Sequence, residues 1–220
     1  MITQIYEVRT PEEANALIDV GVDYIGVLVG PAIEWKAEIS PEQANKVFGA
    51  ITGNTKKIVL SLSKNLEEII EIAKKTNPDI LHLAAEPKDI TPLEIKKLKR
   101  ELPSIKIMRT IPVEDKECVA LAKKYDGLAD YLLLDSRRKK DGQLGATGET
   151  HDWSLSRKIV ESVFIPVILA GGLGPDNVAE AISKVKPFGV DSKTKTDKDD
   201  GSGKDIEKVR EFVRIVKATK

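Results

Sequence analysis

The sequence predicts a (β/α)8 barrel formed as one domain over residues 1–220. Three observations predict it. Eight short apolar runs alternate with longer amphipathic segments along the chain. Most of the runs are apolar on both faces, as buried parallel strands are. The length of 220 residues suits one domain and lies near the lower end for this barrel. The same alternation also fits an open doubly wound sheet. However, no G-x-G-x-x-G follows the first run and the spacing stays regular, so the closed barrel is preferred.

The eight expected strands are 2–8, 23–29, 57–62, 79–83, 105–111, 130–135, 166–171 and 188–191. Each is rich in Ile, Val or Leu and is of strand length. Helix starts are signalled between them. Thr10-Pro11-Glu12-Glu13, Ser40-Pro41-Glu42-Gln43 and Thr91-Pro92-Leu93-Glu94 each read as a capping box with Pro at the first helical position. Asn65 caps a further helix, and Asp152 or Ser154 another. Ile69, Ile72 and Ala73 fall on one face of the third helix, as Val209, Phe212, Val213 and Val216 do on the last. The polar stretch 193–203 reads as a solvated, flexible loop.

Composition narrows the function. Hydrophobic residues make up 41% of the chain, enough for a substantial core. Thirty-five basic residues balance 35 acidic ones, so there is no global pull toward nucleic acid or an anionic membrane. The single Cys118 excludes an internal disulfide and a cysteine-based zinc site, and its helical setting reads as a packed thiol. No apolar run approaches the roughly 18 residues that span a bilayer. The opening MITQIYEV is strand-like without a basic leader, so a cytoplasmic protein is expected.

Chemistry in such barrels sits at the C-terminal ends of the strands. Polar residues that end apolar runs are Tyr6 or Glu7, Ser61, Ser63, His82, Arg109, Asp135 and Asp191. Asp135 is the sharpest, because it follows three leucines and precedes Ser136. A carboxyl beside apolar walls can hold its proton at neutral pH and act as a general acid. A helix cap, or an ion pair with Arg137 or Arg138, would explain the same residue structurally. The turn Ala170-Gly171-Gly172-Leu173-Gly174 leads into a helix at Pro175. Its glycines let backbone N–H groups approach a phosphate, with Ser192, Lys193 and Thr194 following the eighth run as the second half of the grip.

At these residues the chain resembles the phosphoribosylanthranilate isomerase family, the tryptophan-pathway barrel. ADYLLLDSR, GATGETHDW, IPVILAGGLGPDNVAEAI and PFGVDS follow one another in the family's order. Earlier RTPEEANALIDVGVDYIGVLV, SPEQANKV and NPDILHL match its first half, and KDIEKVREFV its last helix. The resemblance implies an Amadori rearrangement of an aminoaldose phosphate to an aminoketose, without cofactor or metal. In it a general acid protonates the ring oxygen and a base removes the C2 proton. Asp135 matches the acid, Gly171 and Gly172 the phosphate loop, and Arg109 a strand-five arginine.

The departures are as specific as the matches. The family's first strand ends lysine-isoleucine-cysteine-glycine, with the cysteine as base. This chain reads Gln4-Ile5-Tyr6-Glu7, which places Tyr6 at the cysteine. Glu7 is then a candidate base, while Tyr6, with an ordinary pKa near 10, is a poorer one. An arginine that holds the anthranilate carboxylate is replaced near Lys36. Glutamine-leucine-histidine-glycine becomes His82-Leu83-Ala84-Ala85, and serine-serine-glycine becomes Lys193-Thr194-Lys195. These residues fit a sugar-phosphate isomerase with Lys36, His82 and Arg109 on its substrate. The alternative is a barrel that binds a phosphorylated ligand without turnover or serves a protein partner. Oligomeric state is not written in the sequence.

Overall fold

The computed structural model describes residues 1–30, 37–137 and 148–219. Among these residues the strands are β1 (Ile2–Tyr6), β2 (Tyr24–Val29), β3 (Glu38–Ile39), β4 (Lys56–Ser61), β5 (Ile80–Leu83), β6 (Lys106–Pro112), β7 (Tyr131–Asp135), β8 (Val167–Leu169) and β9 (Gly189–Ser192). The helices are α1 (Pro11–Val20), α2 (Pro41–Ala50), α3 (Leu66–Thr76), α4 (Pro92–Glu101), α5 (Glu117–Tyr125), α6 (Trp153–Ser162), α7 (Val178–Val185) and α8 (Ile206–Ala218).

All paired strands are parallel, in the order β1-β9-β8-β7-β6-β5-β4-β2, and β1 also pairs with β2. The second pairing closes the sheet, so the expected (β/α)8 barrel is the observed fold. β3 is a two-residue addition on the end of β2, where Leu28 faces Glu38.

Strand period sorts the residues into two layers. Tyr24, Leu28, Ile58, Leu60, Ile80, Met108, Leu133 and Ile168 point into the barrel and form the inner cluster. Their neighbours, such as Ile25, Val59, Leu81, Ile107, Leu132, Leu134 and Val190, point out and pack with the helices. Near the mouth the inner layer is tight. Tyr6 pairs in register with Gly26, and a Cβ on Gly26 would lie 2.0 Å from Tyr6 Cε1. Tyr6 therefore occupies space that only a glycine on β2 leaves open.

The helix caps follow their sequence signals with one refinement. Thr10, Ser40 and Thr91 each accept a backbone N–H from the first turn. The full reciprocal box forms only at Thr91 and Glu94. Glu13 instead accepts from the N–H groups of Arg9 and Lys204, both at 2.9 Å, and so fastens α1 to the segment before α8. Asn65 caps α3, and Asp152 rather than Ser154 caps α6.

The stretch 193–203 departs from its reading as a loose solvated loop. Thr194–Thr196 forms one 3-10 turn, Asp197 bridges to Lys204, and Lys204 is buried against Asp197. A lysine hidden behind an ion pair gives this polar segment its order.

The inner layer yields a paired test. Gly26→Ala overpacks the barrel beside Tyr6 and is expected to lower stability by about 1–3 kcal/mol. Gly49→Ala, where an added Cβ meets nothing within 4 Å on the exposed side of α2, is expected to raise it by about 0.5–1 kcal/mol. Urea unfolding of both variants checks the contrast.

Candidate active site

Because every barrel strand runs the same way, all their C-terminal ends open on one rim. A cleft there is lined by Asp135, Gly148, Gly171, Gly172, Asp191, Ser192, Lys193 and Thr194, together with Leu173 and Lys195. The structure thus gathers seven of the sequence candidates into one place: Asp135, Asp191, both loop glycines and the segment 192–194.

Asp135 ends β7 on the inward face, level with Pro112 of β6. Its Oδ1 accepts the Ser136 N–H at 2.8 Å, and it caps no helix. Arg137 reaches Glu86 at 2.7 Å and Glu114 at 2.9 Å, tying the loops after β5 and β6 to the end of β7. Arg138 lies outside the described residues. Burial raises the Asp135 pKa to about 7, and the hydrogen bonds from Ser136 only partly offset it. The carboxyl therefore holds its proton far more readily than an exposed aspartate does.

Asp191 is the last but one residue of β9, two strands away, also faces inward, and is 7% exposed. Gln4 Nε2 donates to its Oδ1 at 3.1 Å. Burial raises the Asp191 pKa to about 8, and the charges of Asp135 and Glu7 push in the same direction while Gln4 and Lys204 oppose them. Asp191 was visible in the sequence as a polar strand end, but nothing along the chain gave it a role. Its character comes from Asp135 and Gln4, which are distant in sequence.

The other candidates divide by layer. Tyr6 is buried, and its hydroxyl lies 2.7 Å from His82 Nδ1. His82 Nε2 in turn lies 2.6 Å from Thr110 Oγ1. This chain of three side chains crosses the barrel interior. Burial drives the Tyr6 hydroxyl well above its ordinary pKa, and burial followed by the nearby Arg109 charge lowers His82 to about 3. The pair is neutral, so Tyr6 is no base at this site. Glu7 sits just past β1 on the rim, where Lys193 Nζ lies 3.2 Å from its Oε2.

Arg109 is corrected. It was placed on the substrate as a strand-end arginine, but it belongs to the outward-facing set of β6. It is fully buried, donates to the Leu83 carbonyl at 2.7 Å and lies 5.5 Å from the Tyr125 ring of α5. Ser192 lines the cleft, while its hydroxyl donates to the Leu173 carbonyl at 2.7 Å and joins two loops. Lys36 lies outside the described residues.

The glycine loop has a second reason for its composition. Gly171 and Gly172 have φ of 83° and 59°, in the left-handed region that favours glycine. A Cβ on Gly172 would lie 2.7 Å from the Gly148 carbonyl oxygen, and one on Gly171 would lie 2.9 Å from His151 Nδ1. A Cβ on Gly174 would lie 2.7 Å from Lys195 Cβ. The loops after β7, β8 and β9 therefore meet at these glycines. Asn177 braces the turn, accepting from the Gly174 N–H and donating to the Gly172 carbonyl, both at 2.9 Å. Lys193 brings positive charge to the cleft, shared between Glu7 and Asp197 at 3.2 Å each. The arrangement offers small-residue backbone and a cation to an anion, beside two carboxyls that can carry protons. Among the described residues no cluster of acidic, His and Cys side chains is arranged to hold a metal ion. No helix there is long and apolar enough to cross a membrane.

Known proteins carry the same pattern. A family model described as N-(5'-phosphoribosyl)anthranilate (PRA) isomerase matches residues 3–215. The N-(5'-phosphoribosyl)anthranilate isomerase of Methanocella arvoryzae is 35% identical over 212 residues, covering 96% of this chain and 95% of the relative. That of Methanopyrus kandleri is 33% identical over 224 residues, covering 98% of each chain. The solved structure of the Pyrococcus furiosus N-(5'-phosphoribosyl)anthranilate isomerase superposes with a TM-score of 0.77 at 27% identity, over 99% of this chain and 98% of that one. With a match over nearly its whole length, this chain belongs to the N-(5'-phosphoribosyl)anthranilate isomerase family.

Proposed function

We propose that this protein isomerises N-(5'-phosphoribosyl)anthranilate to the corresponding aminoketose by an Amadori rearrangement, acting in the cytoplasm on a phosphorylated small molecule. One observation carries the reading. A carboxyl that holds its proton near neutral pH, Asp135, shares a single cleft with the glycine turn and Lys193.

The phosphate lies against Gly171 and Gly172, with Lys193 and Thr194 on the opposite side, which fixes the ribose ring over the barrel mouth. Lys193 trades part of its pairing with Glu7 and Asp197 for the phosphate. Asp135 donates its proton to the ring oxygen as the C1–O bond breaks, and the nitrogen lone pair forms a C1=N bond. A base then takes the proton from C2. The C–H electrons form C1=C2, and the C=N pair returns to nitrogen. The resulting enaminol tautomerises to the ketone. Electrons balance within the substrate, so no redox cofactor is required. Lys36 is the candidate partner for the aromatic carboxylate. His82 acts from beneath the mouth, through Tyr6.

Asp135→Asn keeps the shape and removes the proton. Its kcat/KM on phosphoribosylanthranilate is expected to fall by roughly 10²–10⁴. The same variant makes a stability prediction of definite sign. Asp135 has a folded pKa raised above the ordinary carboxyl value of 3.8, so its contribution is fully present below that value and is lost as pH rises through about 7. Near pH 8 folding must bury a charged carboxylate, and Asn carries no such cost. Asp135→Asn is expected to melt above the wild type near pH 8, with the gain vanishing toward about pH 4. Thermal melts at the two pH values test this, and a variant destabilised at both marks a structural Asp. A wild type without turnover that still binds ribose 5-phosphate would leave the non-catalytic binding reading.

Lys193→Ala removes one of the two lysines that line the cleft, Lys195 being the other, and ends the pairing with Glu7. Titration calorimetry with ribose 5-phosphate is expected to show binding weakened roughly tenfold, equivalent to about 1.4 kcal/mol. Equal binding by both proteins would remove Lys193 from the phosphate grip.

A further inference from the structure

We propose that Asp191 is the base that removes the C2 proton, and that Gln4 is the positioning residue that holds it. The assignment rests on the isomerase reading above and names the group that reading lacks. The family's base position is filled by Tyr6, whose hydroxyl is bound to His82 inside the barrel. Glu7 lies on the rim, joined to Lys193. Asp191 alone among the three turns a carboxyl inward into the cleft that also holds Asp135.

The geometry suits one sugar ring. Asp135 ends β7 and Asp191 is the last but one residue of β9, with β8 between them. Neighbouring strands lie about 4.8 Å apart, so the two backbones are roughly 10 Å apart along the wall. The inward residue between them is Ala170, whose methyl group leaves the gap open. Two aspartates reaching inward across that gap flank the ring oxygen and C2, which are separated by one carbon.

Gln4 is fully buried on β1, opposite Asp191 in the strand register. Its Nε2 donates to the carboxylate, and its Oε1 has no hydrogen-bond partner among the described residues. An amide can serve both states of its neighbour. Nε2 donates to the ionised carboxylate, and after rotation Oε1 accepts from the protonated acid. A cation at position 4 could serve only the ionised state, and would hold Asp191 too acidic to accept a carbon-bound proton. The other groups facing Asp191 are Asp135 from β7, Glu7 and Tyr6 from the end of β1, and Lys204 from the segment before α8. The two aspartates repel each other's charge, so the pair holds one proton between its two ionisations. Asp191, raised further than Asp135, holds that proton more often, and the productive form is the reverse arrangement, with the proton on Asp135 and Asp191 charged. Proton donation to the ring oxygen followed by abstraction at C2 moves the proton from one to the other. The enaminol then gains a proton at C1 and loses one from its C2 hydroxyl, so the pair's proton count is unchanged.

Steady-state kinetics on phosphoribosylanthranilate across pH, with wild type and three variants, test the assignment. Asp191→Asn is expected to lose roughly 10²–10⁴ in kcat/KM while still binding ribose 5-phosphate. Gln4→Lys puts an ammonium beside Asp191, and the acidic limb of kcat/KM is expected to move to lower pH with a fall in kcat. Gln4→Met keeps the bulk and removes the hydrogen bond, and the limb is expected to move to higher pH. Opposite shifts from two similar-sized side chains are beyond a purely structural role for Gln4. Asp191→Asn within tenfold of the wild type overturns the base, and limbs that stay fixed or move together overturn the role of Gln4. Loss of phosphate binding together with activity in Asp191→Asn assigns that residue to structure and overturns the base as well. A wild type with no turnover overturns the isomerase reading and this assignment together, whereas an active wild type with an active Asp191→Asn overturns the assignment alone.

Discussion

β1 is hydrogen-bonded along both edges, to β2 and to β9, and that closure governs what the rest of the molecule can do. In an open sheet β1 and β9 would not be neighbours, and Gln4 would not face Asp191. Closed, the barrel turns Gln4, Tyr6, His82, Thr110, Asp135 and Asp191 toward one interior floored by Ile58, Ile80, Met108, Leu133 and Ile168. Apolar walls deny these polar groups water, so they must pair with each other or change protonation state. Tyr6, His82 and Thr110 take the first course. Asp135 and Asp191 take the second, and the capacity for proton transfer is a consequence of their enclosure.

The fold was legible because buried parallel strands are apolar on both faces, and eight such runs leave few topologies. Asp135 was legible because its strand tip is so apolar that a carboxyl stands out. Arg109 departs for a physical reason. It is a strand-end polar residue like Asp135, but it falls on the outward phase of its strand. In a strand apolar on both faces, the sequence does not mark which phase turns inward. Met108 and Thr110 show the inward phase of β6 only once the barrel is seen. Lys204 was hidden differently, since a polar, glycine-containing stretch gives no sign that one of its lysines is buried against Asp197.

The glycine turn shows how one composition can answer two demands. Gly171, Gly172 and Gly174 are each placed where a side chain would collide with a neighbouring loop. Those collisions alone would explain the glycines. The same close approach brings the loops after β7, β8 and β9 around one cleft and places Lys193 at its edge. Packing and anion binding are thus not competing explanations here. The loops must touch for the backbone to form a cradle, and glycine permits the contact.

The departures from the family pattern also fit together in space. Tyr6 stands at the family's cysteine and His82 at its glutamine, and the two side chains touch at 2.7 Å. A phenol buried at that position needs a partner, and the imidazole supplies it without bringing a charge into the barrel. Gln4 stands at the family's lysine and touches Asp191. Exchanging an ammonium for an amide beside a buried carboxyl removes the charge that would keep it ionised, and its affinity for a proton rises. Gln4 and Tyr6 lie two residues apart on the same inward face, one beside a buried carboxyl of the neighbouring strand and the other beside His82. Both positions lie on β1, the strand whose two edges close the barrel. Asp135 and Asp191 both gain affinity for a proton because they and the residues around them are inner-wall neighbours, fixed by the closure itself.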